Sequence, residues 1–485
     1  MLPNLVTAAD LHLIIPEVFV CAAAFGLLMV DLFLSPQRRG LTHFLALLVL
    51  VAAAVLTVRD LATGQSFAFA GFFVRDVAGD VLKLGIFGTT ALVLVYAKPY
   101  LQDRDLFKGE FYALVLFAVL GMMLMVSAAG LVTLYLGLEL LALSSYGLVG
   151  MDRDNKVASE AAMKYFILGS MASGLLLYGM SMVYGATGSL QFDEIYAASA
   201  AAGNDTLLAL GVVFMLVGVA FKFGAAPFHM WLPDVYQGAP TAITAFIGSA
   251  PKLAYFGMAY RLLESGVGPL DADWRVMLAW LAAASLVVGN VIALAQVNFK
   301  RLLAYSTISH VGFLFLGFAG GGVDGFAAAM FYAISYAIMA AAAFGAIVVM
   351  SSRGFEADRI DDYKGLNARS PWLAGMILIT MVSLAGVPPF LGFWAKLAVL
   401  QAAIEGDMLW LAIVGIVFAV VGAYYYLYVV KAMYFDEPQG TMPAPSGNRP
   451  MRIVFGVNAV ALLALGLAWS PIMAWCQRAF EVAAG

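Results

Sequence analysis

One apolar stretch that contains a single lysine and ends at a proline decides the fold: residues 205–227 read DTLLALGVVFMLVGVAFKFGAAP. A helix of about 20 apolar residues is long enough to cross the hydrocarbon core of a bilayer. Pro227 removes a helix hydrogen bond, so we expect the helix to break shortly after Lys222. Helices that break at membrane depth are tolerated where they line a cavity or an ion path. The stretch therefore predicts a membrane-spanning helix that serves an ion path.

Fourteen stretches of similar length and hydropathy are predicted along the 485 residues. They lie near 12–34, 41–58, 77–97, 110–127, 130–150, 158–184, 205–225, 241–263, 274–296, 302–319, 325–350, 371–404, 409–434 and 452–476. Hydrophobic residues make up 63% of the chain and charged residues 12%, which excludes a soluble enzyme, a secreted disulfide scaffold and a disordered regulator. Since hydrocarbon offers the backbone no hydrogen-bond partners, we predict an all-α polytopic membrane protein.

The basic residues outside these spans predict the orientation of the chain. When loops are assigned alternately to the two sides, sixteen Lys and Arg residues fall on one side and five on the other. The positive-inside rule places the richer side in the cytoplasm, so both termini are predicted to lie on the opposite, periplasmic side. The net charge of −4 and the lack of a basic block argue against nucleic-acid binding.

Apart from four basic residues near span ends that are counted with the loops, five lie inside the predicted spans, and all five are lysines: Lys83, Lys164, Lys222, Lys252 and Lys396. A charge inside a membrane costs about 2.5–3.5 kcal/mol on insertion scales, and such residues are functional candidates by default. Arg keeps its proton in proteins, whereas a buried Lys can release it. The set therefore predicts groups that bind and release protons.

Three of these lysines lie next to helix breakers, namely Lys222 before Pro227, Lys252 after Pro251, and Lys396 after Pro388 and Pro389. We predict proton carriers at these three positions. Lys164 lies near one end of its span and either snorkels to the cytoplasmic face or feeds protons inward. Lys83 also lies near a span end, and we expect a structural role for it.

Two further ionisable residues belong with the lysines. Glu139 lies in the middle of a span without a local partner, which favours proton handling together with Lys222 over a structural ion pair. His310 titrates in a range that suits a relay, although a hydrogen-bonded core histidine explains it equally well. Glu17, on the first span, is expected to be structural or to face a partner.

Several other patterns are interpreted as structural. Residues 320–325, GGGVDG, match a nucleotide-binding pattern but lie between two membrane helices without a preceding strand, so we predict a turn. The tyrosines of 424–428 are expected to pack rather than to bind quinone, and residues 191–197 to form a short interfacial helix. Cys21 and Cys476 form no Cys-x-x-Cys pair and no histidines stand at metal-ligand spacing, so we predict no metal site and no catalytic residue on this chain.

The chain contains an internal repeat. Residues 224–228, GAAPF, resemble residues 386–390, GVPPF, in the seventh and twelfth spans. Because these spans are five apart, spans 4–8 and 9–13 are predicted to form two five-helix units, the second inverted relative to the first. We predict three helices in 1–109, a first half-channel in 110–265, a second half-channel in 266–435, and a loop with a final helix in 436–485.

Two longer stretches indicate a family. Residues 221–236, FKFGAAPFHMWLPDVY, followed by APT at 239–241, and residues 298–312, NFKRLLAYSTISHVG, resemble the signatures of the antiporter-like membrane subunits of respiratory complex I, a proton-pumping NADH–quinone oxidoreductase. The resemblance covers nearly the whole chain. The chain length and Lys396 fit the branch called subunit N, because the L branch is longer and the M branch usually carries Glu at that position.

This resemblance implies roles for the residues singled out above. Glu139 and Lys222 would be the modulating pair, Lys252 and His310 the central relay, and Lys396 the exit residue. Quinone reduction elsewhere in the complex would drive protons along them, with Lys164 also matched in the family. The chain would hold no cofactor, since FMN, iron–sulfur clusters and quinone belong to partner subunits. The expected neighbours are subunit M, the small subunits K, J and A, and lipids of the bacterial inner membrane.

Three alternatives share part of this pattern. Subunits of multisubunit sodium/proton antiporters carry the same Glu and Lys arrangement, and a membrane-bound hydrogenase complex would couple it to hydrogen. A dedicated sodium site is disfavoured because the spans lack a carboxylate cluster. A purely structural scaffold is disfavoured by the continuous set of five ionisable positions across both halves.

Overall fold

The computed structural model describes residues 7–201, 205–438 and 447–484. Over these residues the chain forms one hairpin, β1 (Ser66–Ala68) and β2 (Phe73–Arg75). The α-helices are, in order, α1 (Ala8–Leu13), α2 (Ile15–Leu32), α3 (Gly40–Arg59), α4 (Val77–Asp103), α5 (Gly109–Val126), α6 (Leu131–Val149), α7 (Lys156–Thr187), α8 (Phe192–Ala201), α9 (Thr206–Phe223), α10 (Trp231–Gly238), α11 (Thr241–Ile247), α12 (Ala250–Tyr260), α13 (Asp271–Ala293), α14 (Phe299–Gly320), α15 (Gly322–Met350), α16 (Leu366–Arg369), α17 (Pro371–Ala385), α18 (Leu391–Glu405), α19 (Leu409–Phe435), α20 (Arg449–Leu467) and α21 (Ser470–Ala484).

Twelve helices in the described part of the chain are long and apolar enough to cross a membrane: α2–α7, α9, α13–α15, α19 and α20. Each coincides with one of the fourteen predicted spans. The remaining two, the eighth and the twelfth, consist of shorter pairs, α11 with α12 and α17 with α18. The interruption of the eighth span was not predicted. It lies where Gly248 ends α11 and Pro251, which has no amide hydrogen, fits the first turn of α12.

The seventh and twelfth spans are interrupted in the same way. The helix α9 ends at Phe223 and is capped by Gly224 at φ +80°, and α17 ends at Ala385 and is capped by Gly386 at φ +85°. Both glycines are in the left-handed region, which glycine adopts without the steric cost of a Cβ atom. Each cap is followed by a cis proline bond, at Ala226–Pro227 and at Pro388–Pro389. Two helix ends, whose last carbonyl groups have no partner within their own helix, therefore lie inside the protein.

The helix α14 is the centre of the bundle. It is buried along its span and packs against α10, α13, α15, α18 and α19. In contrast, α2, α3 and α19 leave most of their apolar surface exposed, as expected of helices that face lipid. The polar side chains in the middle of α14, Ser306, Thr307, Ser309 and His310, are therefore buried inside the bundle.

The loops that carry most of the basic residues meet at one end of the bundle, which we call the basic end. Ion pairs and hydrogen bonds join them there, among them Arg104 with Glu356, Arg353 with Asp105, and Asn298 with Asp358. The β-hairpin lies at the opposite end, where Asp76 pairs with Arg261 at 2.7 Å.

Two minor predictions can be compared with the structure. The turn predicted at residues 320–325 is confined to Gly321, at φ +69°, because Gly320 ends α14 and Gly322 begins α15. Residues 191–197 overlap the short helix α8 (Phe192–Ala201).

Candidate proton path

Lys222 lies in the last turn of α9, buried beside the first helix break. Its Nζ donates a hydrogen bond to Ser173 Oγ on α7 at 3.1 Å. Glu139, its predicted partner on α6, has a buried Oε1 that makes no hydrogen bond within the described part of the chain. Among the described contacts, Lys222 is therefore bound to Ser173 and makes no direct ion pair with Glu139.

Lys252 binds the end of the first broken helix. The residue is buried on α12, and its Nζ donates to the carbonyl oxygen of Phe223, the last residue of α9, at 2.6 Å. The last carbonyl groups of a helix lack internal partners and carry a partial negative charge. The broken end of α9 is therefore a site for a cation, and Lys252 fills it.

Lys396 occupies the matching site in the second repeat. Its Nζ donates to the carbonyl oxygens of Leu384 at 3.0 Å and Ala385 at 2.9 Å, which end α17. It also lies 5.0 Å from the ring centre of Phe313 on α14. Both breaks thus hold a lysine ammonium group by the carbonyl end of a half-helix.

His310 lies between these sites on α14, buried among hydroxyl groups. Its Nδ1 is 2.7 Å from Tyr332 Oη, and its Nε2 is 3.0 Å from Tyr426 Oη. The Tyr426 hydroxyl also forms a short hydrogen bond with Ser306 Oγ. One imidazole nitrogen can accept a proton while the other donates one, so this arrangement can pass a proton along α14.

Lys164 lies apart from these residues, at the basic end. It is partly exposed and pairs with Asp234 at 2.9 Å and Glu160 at 2.8 Å. Asp234 also binds Arg301 at 2.8 Å, so the cluster ties α7 and α10 to α14. The contacts describe a surface ion network rather than a buried carrier.

The predicted residues are not joined by one continuous chain of hydrogen bonds. Within the described residues, no direct side-chain bond connects Lys252 with His310, or His310 with Lys396. Phe223 and Phe315 are in edge contact near the first gap, with ring centres 5.2 Å apart. Proton transfer across these gaps requires water or side-chain motion.

Sequence reasoning missed the hydroxyl and amide partners. Ser173 and Tyr332 were not singled out, and the tyrosines of 424–428 were interpreted as packing. The structure separates these tyrosines, because Tyr425 and Tyr426 are buried and hydrogen-bonded whereas Tyr424 is exposed. Ser306 and Ser309 lie within one helical turn of His310 on an apolar helix, and this pattern was the available signal that His310 has hydroxyl groups nearby.

Lys83 has a structural partner. Its Nζ lies 2.6 Å from Glu17 Oε1 and 3.8 Å from Asp80, and Asp80 lies 3.3 Å from Arg75. All four side chains are buried. Two acidic and two basic groups thus neutralise each other where α2 and α4 meet, outside the row of candidate carriers.

No cluster of three or more His, Cys, Asp or Glu residues that could hold a metal ion exists in the described ranges. Cys21 and Cys476 are free thiols.

A family model described as NADH:quinone oxidoreductase/Mrp antiporter, TM, matches residues 128–422. The chain is 61% identical over 475 residues to NADH-quinone oxidoreductase subunit N of Xanthomonas euvesicatoria pv. vesicatoria (strain 85-10), covering 98% of this chain and 97% of the relative. It is 52% identical over 460 residues to subunit N of Thioalkalivibrio sulfidiphilus (strain HL-EbGR7), covering 94% and 96%.

Solved structures have the same fold. A chain of respiratory complex I from Thermus thermophilus with bound aureothin matches with a TM-score of 0.81 at 32% identity, covering 95% of this chain and 98% of that one. A chain of the Mrp complex from Dietzia sp. DQ12-45-1b matches with a TM-score of 0.84 over 97% of each chain, but at 24% identity this likeness concerns the fold alone.

Proposed function

The chain belongs to the subunit N family of NADH-quinone oxidoreductase, and we propose that its row of buried lysines carries protons across the membrane. In this family the chain is an antiporter-like membrane subunit of complex I and takes part in an H⁺-translocating oxidoreductase. The proposal concerns which residues move the proton. These are Glu139, Lys222, Lys252, His310 and Lys396.

One observation carries the proposal: Lys252 and Lys396 bind the carbonyl ends of two equivalent broken helices. The carbonyl groups favour the ammonium form, whereas burial favours the neutral amine. These opposed effects suit a site that must be both loaded and emptied. A purely structural cation would be an arginine as readily as a lysine, but arginine keeps its proton.

Ser173 gives the first step a physical basis. With Lys222 bound to Ser173, the ammonium group makes no direct ion pair with Glu139, whose charge acts on it only from a distance. When Glu139 approaches, Lys222 is held charged, and when it withdraws, the proton passes toward Lys252. His310 then takes the proton, passes it to Lys396, and returns to its neutral form.

Energy for this cycle comes from outside the chain. Moving one charge against the membrane potential costs about 2.3 kcal/mol per 100 mV. Quinone reduction in partner subunits would supply it by changing the distance between Glu139 and Lys222. FMN, iron–sulfur clusters and quinone would be held by those partners.

The finer placement of the chain is part of the proposal. The basic end would face the cytoplasm of a bacterial inner membrane, with both termini on the periplasmic side. Residues 110–265 and 266–435 would supply the two half-channels. Lys164 would help protons to enter at the basic end, and subunits M, K, J and A would be neighbours, together with lipids.

Lys396→Arg tests the proposal. In inside-out membrane vesicles that carry the assembled complex, proton uptake is measured per NADH oxidised. Arginine keeps the positive charge and can still bind the α17 carbonyls but cannot release its proton, so we expect pumping to fall as far as in Lys396→Ala. Lys431→Arg, at an exposed lysine, is the matched control. Normal pumping by Lys396→Arg would contradict the proposal.

A native gel stained for NADH oxidation identifies the complex. A large tagged band that stains is expected. A band without NADH activity would favour the alternative of a multisubunit sodium/proton antiporter or a membrane-bound hydrogenase.

A further inference from the structure

A pocket of about 290 Å³ opens at the basic end between α13, α14 and α19. Ala293, at the end of α13, and Leu302, on α14, line its wall, and Gln296 and Asp361 add polar groups. Tyr425 of α19 also lines it. A water molecule occupies about 30 Å³ of liquid, so the pocket has room for several.

A buried polar network begins at Tyr425. Its hydroxyl donates to Asn290 Oδ1 at 3.1 Å, and Asn290 Nδ2 donates to Ser309 Oγ at 2.8 Å. Tyr425 and Asn290 are 3% and 0% exposed. The pocket therefore ends at a group that is hydrogen-bonded into the core of the protein.

Beside this network lies a second hydrogen-bonded group, which contains His310. The rings of Tyr425 and Tyr426 have centres 4.5 Å apart, and the Tyr426 hydroxyl contacts both Ser306 Oγ and His310 Nε2. Hydroxyl groups accept one proton and donate another, which allows transfer along a chain. An amide does not do this readily, so Asn290 is a positioning residue that holds Tyr425 and Ser309 in place.

The path proposed above does not use this network, because it begins at Glu139 and Lys222 in the first half of the chain. Polar groups buried at this depth are expensive unless they are satisfied. Packing alone would be served by phenylalanine at Tyr425. The geometry instead connects a pocket at the basic end with the central histidine.

We propose that this pocket is a second proton entrance, which loads His310 from the basic end without passing through Lys222. The inference rests on the proposed function. Water in the pocket gives up one proton and regains one from bulk water at the basic end, each hydroxyl on the way takes one and releases its own, and His310 gains one. No covalent bond other than O–H and N–H changes, and no electron is transferred.

Thiol labelling tests the entrance without relying on activity. Gln296→Cys, at a half-buried residue of the pocket, is placed in a chain whose Cys21 and Cys476 are replaced by Ser, and inside-out vesicles are treated with a charged methanethiosulfonate reagent. Val420→Cys, on the exposed apolar face of α19, is the control. We expect labelling at position 296 to be about tenfold faster, because the reactive thiolate forms in water. Equal rates would overturn the proposal.

Pumping measurements test the connection to His310. Tyr425→Phe removes only the hydroxyl, whereas Tyr434→Phe does the same at a half-buried position of α19 outside the pocket. We expect Tyr425→Phe to pump fewer protons per NADH than Tyr434→Phe. We also expect the double variant Lys222→Ala/Tyr425→Phe to pump fewer protons per NADH than Lys222→Ala alone. Equal numbers of protons per NADH in either comparison would contradict the proposed entrance.

The two proposals fail separately. Normal pumping by Lys396→Arg would contradict the proposed function. Loss of pumping in Lys396→Arg, combined with no faster labelling at position 296 than at position 420 or no effect of Tyr425→Phe, would contradict the entrance alone.

Discussion

The buried pair of Glu17 and Lys83 is expected to support stability and not proton transport. Lys83→Met removes a cation that lies 2.6 Å from Glu17 and 3.8 Å from Asp80. Both carboxylates would stay buried, with Arg75, 3.3 Å from Asp80, as the remaining cation of the cluster. The change therefore leaves an uncompensated negative charge inside the protein.

The size of the effect follows from the distances. At an effective dielectric constant of about 20, the contact at 2.6 Å is worth about 6 kcal/mol and the one at 3.8 Å about 4 kcal/mol. Desolvation offsets much of this, and breaking a buried pair costs about 3–5 kcal/mol net. We expect Lys83→Met to lose stability by this amount. Glu17→Gln should lose less, because Lys83 still has Asp80 as an ion-pair partner.

The assay is the heat stability of the assembled complex in membranes, followed by native gel. Lys83→Met should lower the midpoint of thermal loss, and Glu17→Leu/Lys83→Met should recover part of it, because neither charge is then left alone. Lys431→Met, at an exposed pair with Asp436, should leave the midpoint unchanged. Complexes that remain assembled should pump normally per NADH. A normal midpoint with lost pumping in Lys83→Met would refute the reasoning and move Lys83 into the proton path.

Two more predictions concern the helix breaks and the first carrier. Ser173→Ala removes the hydrogen bond that holds Lys222, so the number of protons pumped per NADH should fall. Ser173→Thr keeps a hydroxyl group and should retain pumping. Equal pumping by the two variants would contradict the role of the hydroxyl. Gly386→Ala places a Cβ atom 2.8 Å from Lys396 Cδ at φ +85°, which should destabilise the complex by about 1 kcal/mol or more and lower pumping. Gly375→Ala, a helical position on α17 with nothing within 4 Å of the added atom, is its control and should do neither.

Much of the fold follows from local sequence. A bilayer forces apolar stretches of this length into helices, so the class and the approximate positions of the spans follow from hydropathy. Gly224 and Gly386, each followed by proline, predict the broken spans because only glycine adopts the left-handed cap cheaply and proline cannot continue a helix. The break in the eighth span was missed, since Pro251 alone is compatible with either a kink or a new helix start.

The candidate carriers were also accessible from sequence, because an ionisable residue in an apolar stretch is conspicuous whatever it contacts. Their partners were not. Lys252 binds Phe223 across 29 residues of chain, and His310 binds Tyr426 across 116. A sequence states that a buried polar group must find a partner, but which helix supplies it depends on how the helices pack.

By itself, then, the sequence determined a helical membrane protein of this family, with lysines beside two glycine-capped breaks, because hydropathy and backbone preference act over neighbouring residues. Only the tertiary structure decided that the carbonyl ends of α9 and α17 each receive a lysine from another helix, that Lys222 donates to Ser173, and that Tyr425 of the pocket binds Asn290 in the core. These contacts depend on how the helices are placed relative to one another, which packing sets.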